Sequence, residues 1–143
     1  MNLHKLTAQE TTALLAAIVD SLDDAVISKT LEGVITSWNP AAEKMFGYTP
    51  AEAIGQHIAL IIPPERQGEE VDVLAHVGRG EKIEHFETVR QAKDGRKVDV
   101  SITVSPVRNT QGKIIGALKV ARDIEQRKLT DDARGRNRGT LAG

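Results

Sequence analysis

Few side chains in this sequence are spaced to do covalent or metal chemistry. His85-Phe86-Glu87 has the His-x-Glu spacing of one half of a zinc deaminase site. In a strand, that spacing puts both side chains on one face. The other half of such a site is built from cysteines, and the chain has none. Lack of cysteine also removes disulfides, thiolate metal sites and cysteine nucleophiles. His85 and Glu87 therefore read as a polar pair on an exposed face. His57 and His76 read as structural or surface residues, no metal cluster or nucleophile–base pair is legible, and the chain is not expected to be an enzyme. The one basic run is Arg134-Gly135-Arg136-Asn137-Arg138-Gly139. Arg-rich tails can bind phosphate, but 19 basic and 20 acidic residues give a net charge of −1. The run reads as a solvated tail, and nucleic acid is not the expected partner.

The elements that must position any site follow from punctuation and periodicity. Thr7 and Glu10 have capping-box spacing, and Leu14, Leu15, Ile18, Val19 and Leu22 make one apolar stripe, predicting a helix that packs on its own domain or on a second copy. Ala25–Ser28 and Val34–Trp38 read as a hairpin around Glu32-Gly33. Asn39-Pro40 and Thr49-Pro50 each open a short helix, stopped at Gly47 and Gly55. A further helix is expected over Glu65–Val77, facing inward with Val71, Leu74, Ala75 and Val77. Ile83–Gln91, Val98–Val107 and Ile114–Arg122 read as three strands, with clear alternation at Val98, Val100, Ile102 and Val104. No run approaches the ~20 apolar residues of a membrane span, and the N-terminus lacks a signal-peptide core. A cytoplasmic protein without a membrane segment in this chain is expected.

The expected fold is therefore α+β: a five-stranded antiparallel sheet with short helices over one face and a hollow between them. Residues 1–22 form an N-terminal flanking helix, 23–123 the domain, and 124–143 an exit helix and disordered tail.

Several of these residues also resemble a known family. Gly33-Val34-Ile35-Thr36-Ser37-Trp38-Asn39-Pro40-Ala41-Ala42-Glu43-Lys44-Met45-Phe46-Gly47-Tyr48 looks like the opening signature of PAS domains of the S-box type, and Thr49 to Gly55 like its continuation. Lys93-Asp94-Gly95-Arg96 resembles that family's turn between the third and fourth strands. Asp123-Ile124-Glu125-Gln126-Arg127-Lys128 resembles its closing Asp-Ile-Thr-Glu-Arg-Lys motif, with Glu125 in place of the usual threonine. The resemblance runs from Leu14 to Leu129. It implies a sensory domain of the kind found in histidine kinases, cyclic-dinucleotide enzymes and transcription regulators, and fold alone does not say which.

The resemblance also bears on cofactors, whose identity stays unknown. Haem sensors of the family carry an iron-ligating histidine on the third helix; the matching position here is Glu70, and His76 lies six residues later, so haem is not expected. Flavin photochemistry through cysteine is excluded, whereas noncovalent flavin stays open, with Trp38 either stacking on it or, in the favoured reading, anchoring the second strand beneath the short helices. Related folds pair a carboxylate with a lysine across the pocket mouth, which points to Glu52 and Lys93. Asp123 is the expected coupling residue between the last strand and the exit helix. Candidate pocket residues are Ile27, Ile35, Met45, Phe46, Ile58, Ile62, Leu74, Phe86, Ile102, Val104 and Leu118. The favoured reading is a ligand-binding relay to an effector domain or protein. The alternative is a ligand-free module that forms a homodimer through Leu14, Leu15, Ile18 and Leu22.

Overall fold

Capping and turn chemistry set most element ends in the computed structural model, which describes residues 6–124. Helix α1 runs Ala8–Ser21. The Thr7 hydroxyl accepts the Glu10 amide at 3.0 Å while the Glu10 carboxylate accepts the Thr7 amide at 2.9 Å, so two otherwise orphaned N–H groups are satisfied. Strands β1 (Ala25–Thr30) and β2 (Ile35–Trp38) follow. The turn between them needs Gly33: its φ is +88°, and a Cβ there would lie 2.5 Å from the His57 ring.

Helix α2 (Pro40–Phe46) starts at Asn39 and ends at Gly47 in the left-handed region, with φ 82°. Helix α3 (Pro50–Ala53) repeats the Thr-x-x-Glu box with Thr49 and Glu52. Two single-turn 3-10 segments, Ile58–Ile61 and Pro64–Arg66, lead to α4 (Gly68–Gly78). Strands β3 (Ile83–Gln91), β4 (Lys97–Arg108) and β5 (Ile114–Asp123) complete the order. All strand pairs are antiparallel, and the sheet runs β2-β1-β5-β4-β3. The architecture is the α+β one expected. The exit helix, the Arg-rich tail and the motif from Glu125 onward lie outside the described residues.

The core sits between the sheet's inner face and the layer of short helices. Ile27, Ile35, Phe46, Ile58, Ile61, Val98, Val100, Ile102 and Val104 are buried there, with Trp38 beneath α2. Trp38 donates its indole N–H to the Tyr48 carbonyl at 2.8 Å and packs on Phe46 with ring centroids 5.9 Å apart. That is the anchoring role.

Three details depart from the sequence reading. The segment opening at Glu65 is split, a 3-10 turn preceding α4, and the inward face of α4 is Glu70, Val73 and Val77, while Val71 is 70% exposed. Leu74 is half-buried on the flank, outside the main core cluster, because residues 70, 73 and 77 form the stripe over the sheet. His85 has φ 52° at a register shift between Ile83 and Phe86, so strict alternation fails there and His85 is a bulge residue.

Candidate functional site

The inner face of the sheet is apolar except for one patch of charge. Along β1 the inward row is Ala25, Ile27 and Lys29; along β5 it is Ala117, Lys119 and Ala121. Lys119 lies opposite Ile27 of β1 and Val104 of β4, both inward-facing, which fixes its direction. Thr88 and Arg90 continue the inward row on β3, opposite Val100 and Val98.

Helix α4, which packs on β3, β4 and β5, brings two carboxylates to this patch from its first turn. Lys29 donates to both oxygens of Glu70 at 2.6 and 2.7 Å in a buried ion pair. Glu69 accepts from Thr88 at 2.8 Å, Arg90 at 3.0 Å and Arg66 at 3.1 Å. Burial pushes the Glu69 carboxyl up, but those hydrogen bonds together hold it below the ordinary glutamate value. Burial lowers Lys29, with Glu70 opposing, and lowers Arg90, with Glu69 opposing. Burial drives the Lys119 amine well below the lysine value of 10.5, and the charges of Arg90 and Lys29 drive it further.

The residues singled out from sequence are distributed between this core and its rim. Ile27, Ile35, Phe46, Ile58, Ile62, Ile102 and Val104 are in the core cluster, and Met45 packs against it half-buried. Phe86 is half-buried in a groove of about 200 Å³ between α4 and β3, with Val73, His76 and Ile83. Leu118 is a correction: it pairs with Ser28 and Ser105 in the outward row, because the inward position next to it is taken by Lys119.

Glu70 is engaged with Lys29, and His76 stands on the rim with its Nδ1 2.9 Å from Arg79 and 3.3 Å from Glu81. Lys93 bonds the Glu52 carboxylate across the helix–turn boundary and lies 5.9 Å from the Tyr48 ring centroid. The Lys93 hydrogen bond, with the Thr49 amide, holds the Glu52 carboxyl below its ordinary value. Asp123 ends β5 and, with Ser21, Leu22, Pro40, Lys44 and Met45, lines a hollow of about 340 Å³ where α1 meets α2. Leu14, Leu15, Ile18 and Leu22 are 44–57% exposed, and α1 buries no residue.

Sequence reasoning missed Lys29, Lys119, Arg90 and Glu69. The available signal was phase: Ala25-x-Ile27-x-Lys29 and Ala117-x-Lys119-x-Ala121 each put a lysine in register with small or apolar residues. Among the described residues no group of three or more metal-capable side chains comes together, and no helix is long and apolar enough to cross a membrane.

Comparison with known proteins agrees with this geometry. A family model described as PAS, the PAS fold, matches residues 13–124. The signal transduction histidine-protein kinase AtoS of Escherichia coli (strain K12) is 33% identical over 123 residues, which is 85% of this chain and 20% of that protein. The probable diguanylate cyclase DgcE of the same organism is 28% identical over 114 residues, 78% of this chain and 10% of that protein. The chain thus spans a fifth or less of the length of these relatives. Among solved structures, the PAS domain of a protein from Colwellia psychrerythraea superposes with a TM-score of 0.72 at 27% identity, covering 80% of this chain and 97% of that one. The family match and the superposition agree, and the chain belongs to the PAS family of regulatory sensory domains.

Proposed function

We propose that this domain is the ligand-sensing input of a longer signalling protein, relaying the state of its helix–sheet interior to an attached effector. The observation that carries this reading is the ionised contact between α4 and the sheet. Lys29–Glu70 and Arg90–Glu69 fasten a short helix to strands β1 and β3 through buried charge. Buried ion pairs seldom add net stability over apolar packing, and in some proteins they select one arrangement over its alternatives. A ligand that binds two arrangements of α4 unequally shifts their populations. The shift has a short route out: β5 carries Lys119 and ends four residues later at Asp123, beside the end of α1. Kinase and cyclase relatives support an effector of that type, and this reading places the domain in the cytoplasm.

The test is native mass spectrometry of the purified chain, with hydrogen exchange in the presence and absence of whatever is retained or added. The expected result is a bound small molecule whose removal changes protection in both α4 and β5. A bare chain that binds nothing from a metabolite library would refute the sensing role.

A second reading has its own observation, the exposed stripe of Leu14, Leu15, Ile18 and Leu22 on a helix its domain does not cover. In this reading the stripe meets its own copy in a two-fold homodimer. Leu15→Glu with Ile18→Glu should convert a dimer to a monomer in light scattering. A wild-type monomer at high concentration would refute it.

A further inference from the structure

The inner face of the sheet buries three cationic side chains, and carboxylates are bonded to two of them. Lys29, Arg90 and Lys119 are each 2% exposed. Against them stand two carboxylates, both engaged: Glu70 holds Lys29, and Glu69 holds Arg90 together with Arg66 and Thr88. Lys119 has no hydrogen-bond or ion-pair partner among the described residues; it meets the cluster only through longer-range charge, with Arg90 and Lys29 against it and Glu70 and Glu69 for it. Among the described residues, the Arg90 Nε is the one fully buried side-chain nitrogen or oxygen without a hydrogen-bond partner. Buried lysines are ordinarily paired, since burying an uncompensated charge is costly. Lys119 stands opposite Ile27 and Val104 on the neighbouring strands, with the small side chains of Ala117 and Ala121 on either side of it along β5.

We propose that this surface binds one small monocarboxylate with an apolar tail, its carboxylate paired with the Lys119 ammonium and its tail against the aliphatic inner face. The proposal rests on the ligand-sensing reading above and names its ligand class. Of the three buried cations, Lys119 alone has no carboxylate bonded to it among the described residues. One carboxylate supplies that partner, and an uncharged ligand would leave Lys119 unpaired. A carboxylate beside Lys119 favours the charged form of the amine, which takes up a proton from solvent wherever it lacks one. The product is a carboxylate–ammonium pair in which any new N–H bond is the sole covalent change. The groups facing Lys119 are Lys29 from β1, Arg90 from β3 and Glu69 and Glu70 from α4; its β4 neighbour Val104 is apolar. The ligand anion therefore favours the charge on Lys119, and Lys119 sits on the strand that leads out at Asp123.

The test uses the intact chain with butyrate, hexanoate, hexanamide and 1-hexanol. Hexanoate should raise the melting temperature, the uncharged analogues should not, and the Lys119 Nζ resonance should titrate at higher pH once hexanoate is present. Lys119→Met should weaken hexanoate binding by about thirtyfold or more, the loss typical of removing one member of a buried charge pair. Should that variant not fold, the Nζ titration of the unaltered chain decides. Equal binding of hexanoate and 1-hexanol, an unmoved Lys119 titration, or full binding by Lys119→Met overturns the carboxylate site while leaving the sensing reading standing. A chain that is bare in native mass spectra and binds neither charged nor uncharged probes overturns both.

Discussion

Asn39 is the residue whose loss has the most legible cost. It is 3% exposed and uses every hydrogen-bonding position of its amide. The oxygen accepts from the Val26 amide at 2.9 Å and the Ala42 amide at 3.0 Å, while the nitrogen donates to the carbonyls of Val19 at 3.1 Å and Asp24 at 3.0 Å. One side chain thus caps α2, pins β1 and fastens the end of α1. Asn39→Ala removes a helix cap, costing about 0.5–2 kcal/mol, and strands a buried amide on β1, costing about 1–3 kcal/mol. Allowing for overlap and for water reaching the α1 end, the loss is about 2–4 kcal/mol. At about 3–4 °C per kcal/mol for a domain of this size, that is a fall of roughly 7–14 °C in melting temperature. The assay is urea unfolding followed by the fluorescence of Trp38, the chain's one tryptophan. Asn39→Asp separates the roles, since a carboxylate keeps both acceptor bonds and loses both donors. It should fall between wild type and Asn39→Ala, and amide exchange across residues 19–26 should quicken in both variants. A loss below about 1 kcal/mol for Asn39→Ala, or Asn39→Asp indistinguishable from wild type, would refute the reasoning.

Three further outcomes follow from the same geometry. Lys29→Met should destabilise by about 3–5 kcal/mol because it leaves Glu70 buried and unpaired, whereas Lys29→Met with Glu70→Leu should recover most of it; a double variant as unstable as the single one contradicts this. Stability should rise with pH: Lys29 and Lys119 are held below the lysine value of 10.5, so the unfolded chain binds more protons from their lowered values up to that point. Lys119→Met should flatten the larger part of that rise in urea midpoints. At the acid end Glu52, Glu69 and Glu81 lie below 4.5, so their stabilisation is complete above that value and is lost as pH falls through their folded values. His85→Gly should stabilise slightly, since it relieves a left-handed cost of about 1–2 kcal/mol against glycine's entropic cost of about 0.5–1 kcal/mol at φ 52°; a clear loss in the unfolding midpoint would count against a strained His85.

What could be read from sequence divides by how local its cause is. Thr7 with Glu10, Asn39 with Pro40, Thr49 with Glu52, and Gly47 act within three or four residues, so the helix starts and stops are legible without tertiary knowledge. The charged interior is not local. In Ile114-Ile115-Gly116-Ala117-Leu118-Lys119-Val120-Ala121 both phases carry apolar residues, and hydrophobicity favours Leu118 and Val120 inward with Lys119 outward. Pairing with β4 reverses this, because Val98, Val100, Ile102 and Val104 must face the core and Val104 lies opposite Lys119. On α4, hydrophobicity likewise selects Val71, Leu74 and Ala75, while the inward stripe is Glu70, Val73 and Val77. These two departures are one physical fact. A helix that turns a glutamate toward the sheet is tolerable only over strands that turn cations toward the helix, and Lys29 supplies one to Glu70. Each element alone therefore looks wrongly oriented, and only the pair is consistent. Lys119 goes one step further, since its strand is oriented by β4 and its charge is balanced by no carboxylate of its own. Under the carboxylate proposal that partner is the ligand, and its binding would hold the proton on this amine.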